Sequence, residues 1–315
     1  MSRAFVYPGQ GAQTIGMGRD LAETWRSAAD VFEAVDTALG EDFSALIWDG
    51  DADALTLTEN AQPALMAMSM AVMAALGEEG VDVTAASFVA GHSLGEYSAL
   101  CAAGALDVAD AARLLRLRGR AMQSAVPVGV GAMAAILGLD LAQVGAVAAE
   151  AAGDEVCAAA NDNDPAQVVV SGHAAAVGRA VELAKARGAK RAVMLPVSAP
   201  FHCALMEPAA EAMAEALAGV AIRAPKVPVV ANVRAEAVSD PDTIRRLLVE
   251  QVTAPVRWRE SVAWMAGEGV SGLWEIGAGK ALSGMARRID RNLSAVAVGT
   301  ADQVRVVAED LRAAT

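Results

Sequence analysis

An apolar run, residues 86–90, leads into Gly91-His92-Ser93-Leu94-Gly95, and an alanine-rich helical pattern follows from Glu96-Tyr97-Ser98-Ala99-Leu100. Gly-x-Ser-x-Gly on a strand-to-helix turn is the nucleophile elbow. Such a turn needs glycine beside the serine, because a side chain there would clash with the strand or the helix. The segment therefore commits the chain to a strand, a sharp turn and a helix packed back on the strand. The serine hydroxyl is held at the start of that helix. There the helix dipole and free backbone N–H groups favour a developing negative charge. The pattern implies acyl-serine chemistry.

The rest of the chain fits an α/β protein. Its 315 residues suggest two domains, or one with an insertion. Hydrophobic residues make up 55% and aromatics only 4%, so Ala, Val, Leu and Met must fill the core. A net charge of −13 argues against a nucleic-acid partner. Two local basic clusters stand out against it: Arg179, Lys185, Arg187, Lys190 and Arg191, and then Lys280, Arg287, Arg288 and Arg291. Either is a solvated face or a docking point for an acidic partner or phosphorylated ligand. Cys101, Cys157 and Cys203 show no paired-ligand spacing, which suits a reducing compartment, and no metal site is expected. The residues Met1–Tyr7 lack a long apolar stretch, and no apolar run is long enough to span a bilayer. A soluble, cytoplasmic protein with no membrane partner is expected.

Residues 4–7 read as a buried strand ending at Pro8-Gly9-Gln10-Gly11-Ala12-Gln13, a loop by its Pro and Gly content. Residues 22–39, 62–76 and 107–126 carry helical patterns. Between 132 and 196 the order is strand (132–137), helix (139–152), strand (156–160), strand (167–171), helix (174–187), strand (191–196). Asn161-Asp162-Asn163-Asp164-Pro165 is expected as the turn between the middle strands. This β-α-β-β-α-β order is ferredoxin-like. It predicts a small domain at 127–197 inserted into a larger one made of 1–126 and 198–315. Alternating helices and strands resume from 207 to 288.

A serine hydroxyl needs an adjacent base. The chain has three histidines. His92 precedes the serine, and neighbouring side chains in such a turn diverge; it suits a supporting role. His173 falls at the start of a small-domain helix, where a surface or capping role is expected. His202 remains, in Ser198-Ala199-Pro200-Phe201-His202-Cys203, where Pro200 restricts the loop. A backbone carbonyl suffices to fix its tautomer, because Nδ1–H needs only an acceptor.

Six ordered blocks now stand out: residues 7–13, Gly91-His92-Ser93-Leu94-Gly95-Glu96-Tyr97, Arg116-Leu117-Arg118-Gly119, Phe201-His202-Cys203-Ala204-Leu205-Met206, residues 251–258 and Glu275-Ile276-Gly277-Ala278-Gly279-Lys280. Together they resemble the malonyl-CoA:acyl carrier protein transacylases of fatty acid synthesis over nearly the whole chain. The resemblance implies an α/β-hydrolase-like large domain with a ferredoxin-like insertion. It implies malonyl-CoA as a substrate rather than a cofactor, acyl carrier protein as the partner and no cofactor. It makes Ser93 the nucleophile and His202 the base. It gives the oxyanion hole to the backbone N–H groups of Gln10 and Leu94, and the orientation of His202 to the carbonyl of Gln251. It turns Asn161 toward the cleft. Tyr7 and Ala278 depart from the family's commoner Phe and Pro, away from the proposed chemistry.

Arg118 is expected to read the substrate, since a guanidinium can hold the malonyl carboxylate through two parallel hydrogen bonds. Residues alone allow a solvated face for all four arginines at 113, 116, 118 and 120; the family match selects Arg118 and leaves Arg116 as a surface residue. Leu94 and Phe201 match the malonyl-selective pattern of related polyketide acyltransferases, with bulk that would crowd an α-methyl group. Three other motifs fail. Thr14 replaces the third glycine of a dinucleotide loop, Ala281 and Trp274 break a phosphate loop at Gly279-Lys280, and the 161–164 run lacks the glycine and distant Glu of a calcium loop. Carrier-protein docking is expected at Lys185, Arg187, Lys190 and Arg191.

Overall fold

The first strand, Arg3–Tyr7, is apolar almost throughout, with residues 4–7 fully buried. A strand covered on both faces has no use for a polar side, which is the signature of a parallel sheet between helices. The structure, a computed structural model, describes residues 2–197 and 199–313. Met1, Ser198, Ala314 and Thr315, which the domain expectation includes, lie outside the described residues. In chain order the strands are β1 Arg3–Tyr7, β2 Phe88–Gly91, β3 Gly131–Leu137, β4 Cys157–Asp164, β5 Gln167–His173, β6 Arg191–Met194, β7 Val229–Ala231, β8 Glu236–Val238, β9 Gly272–Ile276 and β10 Ser294–Val298.

They form two sheets. The larger has the order β10-β9-β1-β2-β7-β8, parallel except for the β7–β8 hairpin. Its strand order reverses between β1 and β9. Crevices open at the carboxyl ends of strands at such a switch point, and ligands bind there. The 8–13 loop leaves β1 at that end, and the elbow leaves β2 beside it, with Tyr7 in register with Gly91. The helix Thr58–Glu78 runs through this layer with most of its residues buried on every side, so its apolar positions show little amphipathic pattern.

The smaller sheet is antiparallel, of order β4-β5-β3-β6, the ferredoxin-like arrangement. The period-2 alternation of β3 divides its work. Ala134 and Ile136 pack under the helices Leu141–Ala152 and Ala174–Ala186. Met133 and Ala135 face the other way, in a cluster that Leu195, Val197 and Phe201 join. The mixed α/β architecture with a large parallel-sheet domain and a small antiparallel one is as the sequence predicts.

Two local expectations are corrected. The 22–39 pattern is two helices, Arg19–Thr24 and Arg26–Leu39, broken where Trp25 is extended at φ −123° and ψ 127°. The break buries the indole, whose N–H reaches Glu79 at 3.3 Å; that tertiary contact overrides local helix propensity. Residues 161–164 are not the turn. They continue β4, and Pro165-Ala166 turn instead. Register shifts between 159 and 161 and between 162 and 164 break the alternation that marks a strand. The segment is a seam between the sheets. Asp162 N–H donates to the Val256 carbonyl at 2.9 Å, Asp162 pairs with Arg259 at 2.9 Å, and Asp164 pairs with Arg288 at 2.7 Å. Both carboxylates are 2% exposed, and buried charges persist only when paired in this way. The strand β10 and the helix Ala301–Ala313 carried no sequence expectation.

Candidate functional site

The elbow takes its shape from its glycines. A Cβ on Gly91 would lie 1.9 Å from the Gly95 carbonyl, and one on Gly95 would lie 2.3 Å from the Tyr7 oxygen. Strand β1 and the helix Gly95–Ala102 therefore meet with no room for a side chain. Gly95→Ala is expected to destabilise the protein by about 3 kcal/mol in urea unfolding, the upper end of ordinary overpacking costs; a loss under about 1 kcal/mol would show that the turn yields. Ser93 itself sits at φ 54° and His202 at φ 58°. Positive φ costs a residue with a side chain about 1–3 kcal/mol and persists only where the surroundings impose it.

Those surroundings are polar and buried. Ser93 N–H donates to Asn232 Oδ1 at 2.8 Å, and Asn232 Nδ2 donates to the Gly91 carbonyl at 2.6 Å. Ser93 Oγ lies 2.8 Å from His202 Nε2. His202 Nδ1 lies 2.9 Å from the carbonyl oxygen of Gln251. A carbonyl can only accept, so Nδ1 carries the proton and Nε2 presents its lone pair to the serine hydroxyl. His202 is 4% exposed, and burial, aided by the Arg118 charge, pushes its pKa down to about 3. The imidazole is neutral at neutral pH and can accept a proton.

Arg118, on the helix Val108–Ser124, is 1% exposed. Nη1 donates to Gln62 Oε1 at 2.8 Å; Nη2 donates to Gln251 Oε1 at 2.8 Å and to Ser93 Oγ at 3.1 Å. These acceptors are all neutral, and Nε is buried with no partner. Burying a guanidinium whose hydrogen-bond acceptors are all neutral is costly; Glu96 and Tyr97 offset part of that cost electrostatically, and an anion brought directly to it would relieve more. Arg116 corrects its surface assignment. It is 9% exposed, bonded to Asn60 Oδ1 at 2.6 Å and to Glu41, and lies over the Phe43 ring. Two positions apart on a helix are about 200° apart in direction, so residues 116 and 118 serve opposite faces; this helix is packed on both.

The hydroxyl, imidazole and guanidinium open into a cavity of about 330 Å³ between the two sheets. Gln10, Leu94, Asn161 and Phe201 line it, with Met133 and Leu195 from the small-sheet side. Leu94 immediately precedes the helix Gly95–Ala102, whose Gly95, Glu96 and Tyr97 N–H groups are already bonded to the carbonyls of His92, Ser93 and Leu94 at 2.9, 3.1 and 3.0 Å. His92 turns away from this chemistry. Its Nε2 is 2.9 Å from Asn163 Oδ1, and its ring packs near Trp258 and against Gly9, where a Cβ would be 2.9 Å from Nδ1. It thereby ties the elbow to β4. His173 is structural: its Nδ1 accepts the Val156 N–H at 2.9 Å. The Gly279-Lys280 turn offers no anion site either, since the Glu275 carboxylate already accepts the Leu282 and Ser283 N–H groups at 3.0 and 2.7 Å.

Sequence reasoning passed over Gln62, Asn232 and any role for Glu96. Gln62 left one signal, a polar residue opening an apolar helical run, which a buried helix tolerates only with a partner. Asn232 left none, because its partners at the elbow, Gly91, Ser93 and Glu96, are 136 or more positions away. Among the described residues no helix is long and apolar enough to cross a membrane, and no group of three or more His, Cys, Asp or Glu could hold a metal ion.

Residues 4–278 match the acyl transferase domain family. The chain is 48% identical over 295 residues to the malonyl CoA-acyl carrier protein transacylase of Escherichia coli K12, covering 94% of this chain and 95% of that protein. It is 46% identical over 310 residues to the protein of the same name from Bacillus subtilis, covering 98% and 97%. The crystal structure of the acyl-carrier-protein S-malonyltransferase from Bartonella henselae superposes with a TM-score of 0.97 at 55% identity, covering 99% of this chain and 100% of that one. A malonyl-transacylase in complex with its type II PKS acyl-carrier protein superposes with a TM-score of 0.95 at 43% identity, covering 98% and 100%. With a strained serine on an elbow, a buried neutral histidine and likeness along nearly its whole length, this chain belongs to the malonyl CoA-acyl carrier protein transacylases of the acyl transferase domain family.

Proposed function

We propose that this enzyme moves a malonyl group from malonyl-CoA to the phosphopantetheine thiol of acyl carrier protein, by way of a malonyl-Ser93 ester, and so supplies extender units for fatty acid synthesis. The observation that carries the reading is Arg118, a buried guanidinium with neutral partners 3.1 Å from the serine oxygen. It suits an acyl group that ends in a carboxylate.

His202 Nε2 takes the Ser93 proton as Oγ attacks the thioester carbonyl. The Gln10 and Leu94 N–H groups hold the oxyanion; one such donor is worth about 3–4 kcal/mol in comparable enzymes. The C–S bond breaks, and His202 returns the proton to the coenzyme A thiolate. The carrier-protein thiol then gives its proton to His202 and attacks the ester. The ester C–O bond breaks, and the proton goes back to Ser93 Oγ. This is ping-pong transfer with a covalent intermediate. Gln251 orients His202 through its carbonyl. Leu94 and Phe201 crowd an α-methyl group, and a methyl is worth only about 1–3 kcal/mol in a pocket, so malonyl preference over methylmalonyl is modest. Asn161 and His92 shape the cleft wall. The four-stranded sheet over 131–194 supports reading 127–197 as an inserted unit within a larger one formed by 1–126 and 198–315. Three free, buried cysteines support a cytoplasmic setting.

Of the expected docking cations, Lys185 pairs with Glu182 at 2.7 Å and Arg187 pairs with Glu150. Among the described residues Lys190 and Arg191 have no ion pair, which leaves them for an acidic carrier protein. Intact mass tests the whole reading. Incubation with malonyl-CoA should add one malonyl group to Ser93, and phosphopantetheinylated carrier protein should remove it. Rapid release of malonate without carrier dependence would make the protein a hydrolase instead. Charge reversal at Lys190 and Arg191 should raise the KM for carrier protein more than that for malonyl-CoA.

A further inference from the structure

Behind Ser93 lies a buried carboxylate that no step of the transfer uses. Glu96, in the first turn of the helix Gly95–Ala102, is 2% exposed. Its Oε2 accepts the Asn232 backbone N–H at 3.0 Å and Gln251 Nε2 at 2.9 Å. Both neighbours are junctions of the site. Asn232 Oδ1 holds the Ser93 N–H. Gln251 holds His202 on its carbonyl and Arg118 on Oε1.

The side-chain amide of Gln251 has one accepting end and one donating end. Arg118 can only donate, so it needs the oxygen. An ionised Glu96 can only accept, so it needs the nitrogen. Guanidinium and carboxylate thus select the same orientation from opposite ends. The Ser93 carbonyl, 3.0 Å from Nε2, asks for that orientation too, but a charged acceptor holds an N–H about twice as strongly. A protonated Glu96 can itself donate, and a reversed amide then becomes tolerable; it would point a donor at Arg118.

We propose that Glu96 is a positioning residue whose carboxylate locks the Gln251 side chain with Oε1 on Arg118, and so sharpens the preference for a dicarboxylic acyl group. The proposal rests on the reading of Arg118 given above. Burial raises Glu96 to about 7, against the pull of its two N–H donors and the Arg118 charge. Arg118 and Tyr97 act on it electrostatically, and the site's two histidines are His202, on the Gln251 carbonyl, and His92, on the elbow. Arg118 stays charged, burial raises Tyr97 to about 12, and burial lowers both histidines, His202 to about 3. Near neutrality Glu96 is the member of this group that changes charge. Its proton goes on as the pH falls, so the lock is present above about pH 7 and is lost below it.

The test is single-turnover loading of Ser93 from malonyl-CoA and from acetyl-CoA, read by intact mass across about pH 6–8.5, in the wild type and in Glu96→Gln. Glutamine keeps the shape and an acceptor for Asn232 but removes the charge. In the wild type the malonyl-to-acetyl rate ratio should fall as the pH drops through about 7. In Glu96→Gln the ratio should be lower by about tenfold at the alkaline end, the difference between hydrogen bonds to charged and neutral groups, and should no longer vary with pH. Equal losses on both donors, or a wild-type ratio that is flat with pH, would overturn the proposal and leave Glu96 a part of the fold alone. The wild-type series decides the matter even if the variant does not fold. A wild type that never loads malonyl overturns the reading of Arg118, and this proposal with it.

Discussion

His202→Ala is expected to slow malonyl transfer from malonyl-CoA to carrier protein by on the order of 10,000-fold, with Ser93→Ala at least as damaging, as in other serine enzymes whose nucleophile and base act as a unit. The reason is local. Among the described residues Ser93 Oγ has one acceptor placed to take its proton, His202 Nε2 at 2.8 Å, while Arg118 only donates to it. The double variant should lose little more than either single one, and a loss under about 100-fold in His202→Ala would mean another base serves. The buried imidazole also makes a pH statement. In the unfolded chain it takes a proton near the ordinary value of 6.5, and in the folded protein only near about 3. Between these values the unfolded state binds more protons, so this group's contribution to stability is present above 6.5 and is lost as the pH falls toward 3. Urea midpoints measured over that window should fall less steeply with acid in His202→Gln than in the wild type. Malonyl loading, for its part, should show no loss near pH 6.5 attributable to His202.

Arg118→Ala should cut kcat/KM for malonyl loading by roughly 30- to 4,000-fold, corresponding to about 2–5 kcal/mol for truncating one partner of a buried charge pair. Acetyl loading should lose far less, because acetyl brings no carboxylate to leave unpaired. Arg118→Lys should recover only part of the loss, since an ammonium cannot reproduce the planar fork that meets both carboxylate oxygens. Kinetics with the two thioesters, side by side, check this. Equal loss on both would show that Arg118 supports Ser93 Oγ at 3.1 Å and does not read the acyl group.

Much of this site was legible because its parts are local in sequence. The glycines flanking His92-Ser93-Leu94 answer to contacts within the elbow and to strand β1 beside it. The ferredoxin-like order is legible because β3, β4, β5 and β6 keep their hairpin and crossover order along the chain. His202 emerged by elimination among three histidines. Arg118 needed the family resemblance, since four arginines on one helix look alike until their surroundings are known.

The chain's own pattern determined a strand-turn-helix that lifts one serine, the strand and helix order of the small antiparallel sheet and which of three histidines the serine meets, since glycine sterics, period-2 alternation and residue chemistry all act over short range. Tertiary structure alone decided how these parts are held. It made residues 161–164 an ion-paired seam, and it buried Arg116 against Glu41 and Phe43. It also brought Gln62, Asn232 and Glu96 behind Ser93. Those contacts join residues 56 to 155 positions apart, and a buried polar group shows itself only through the partner that burial obliges it to find.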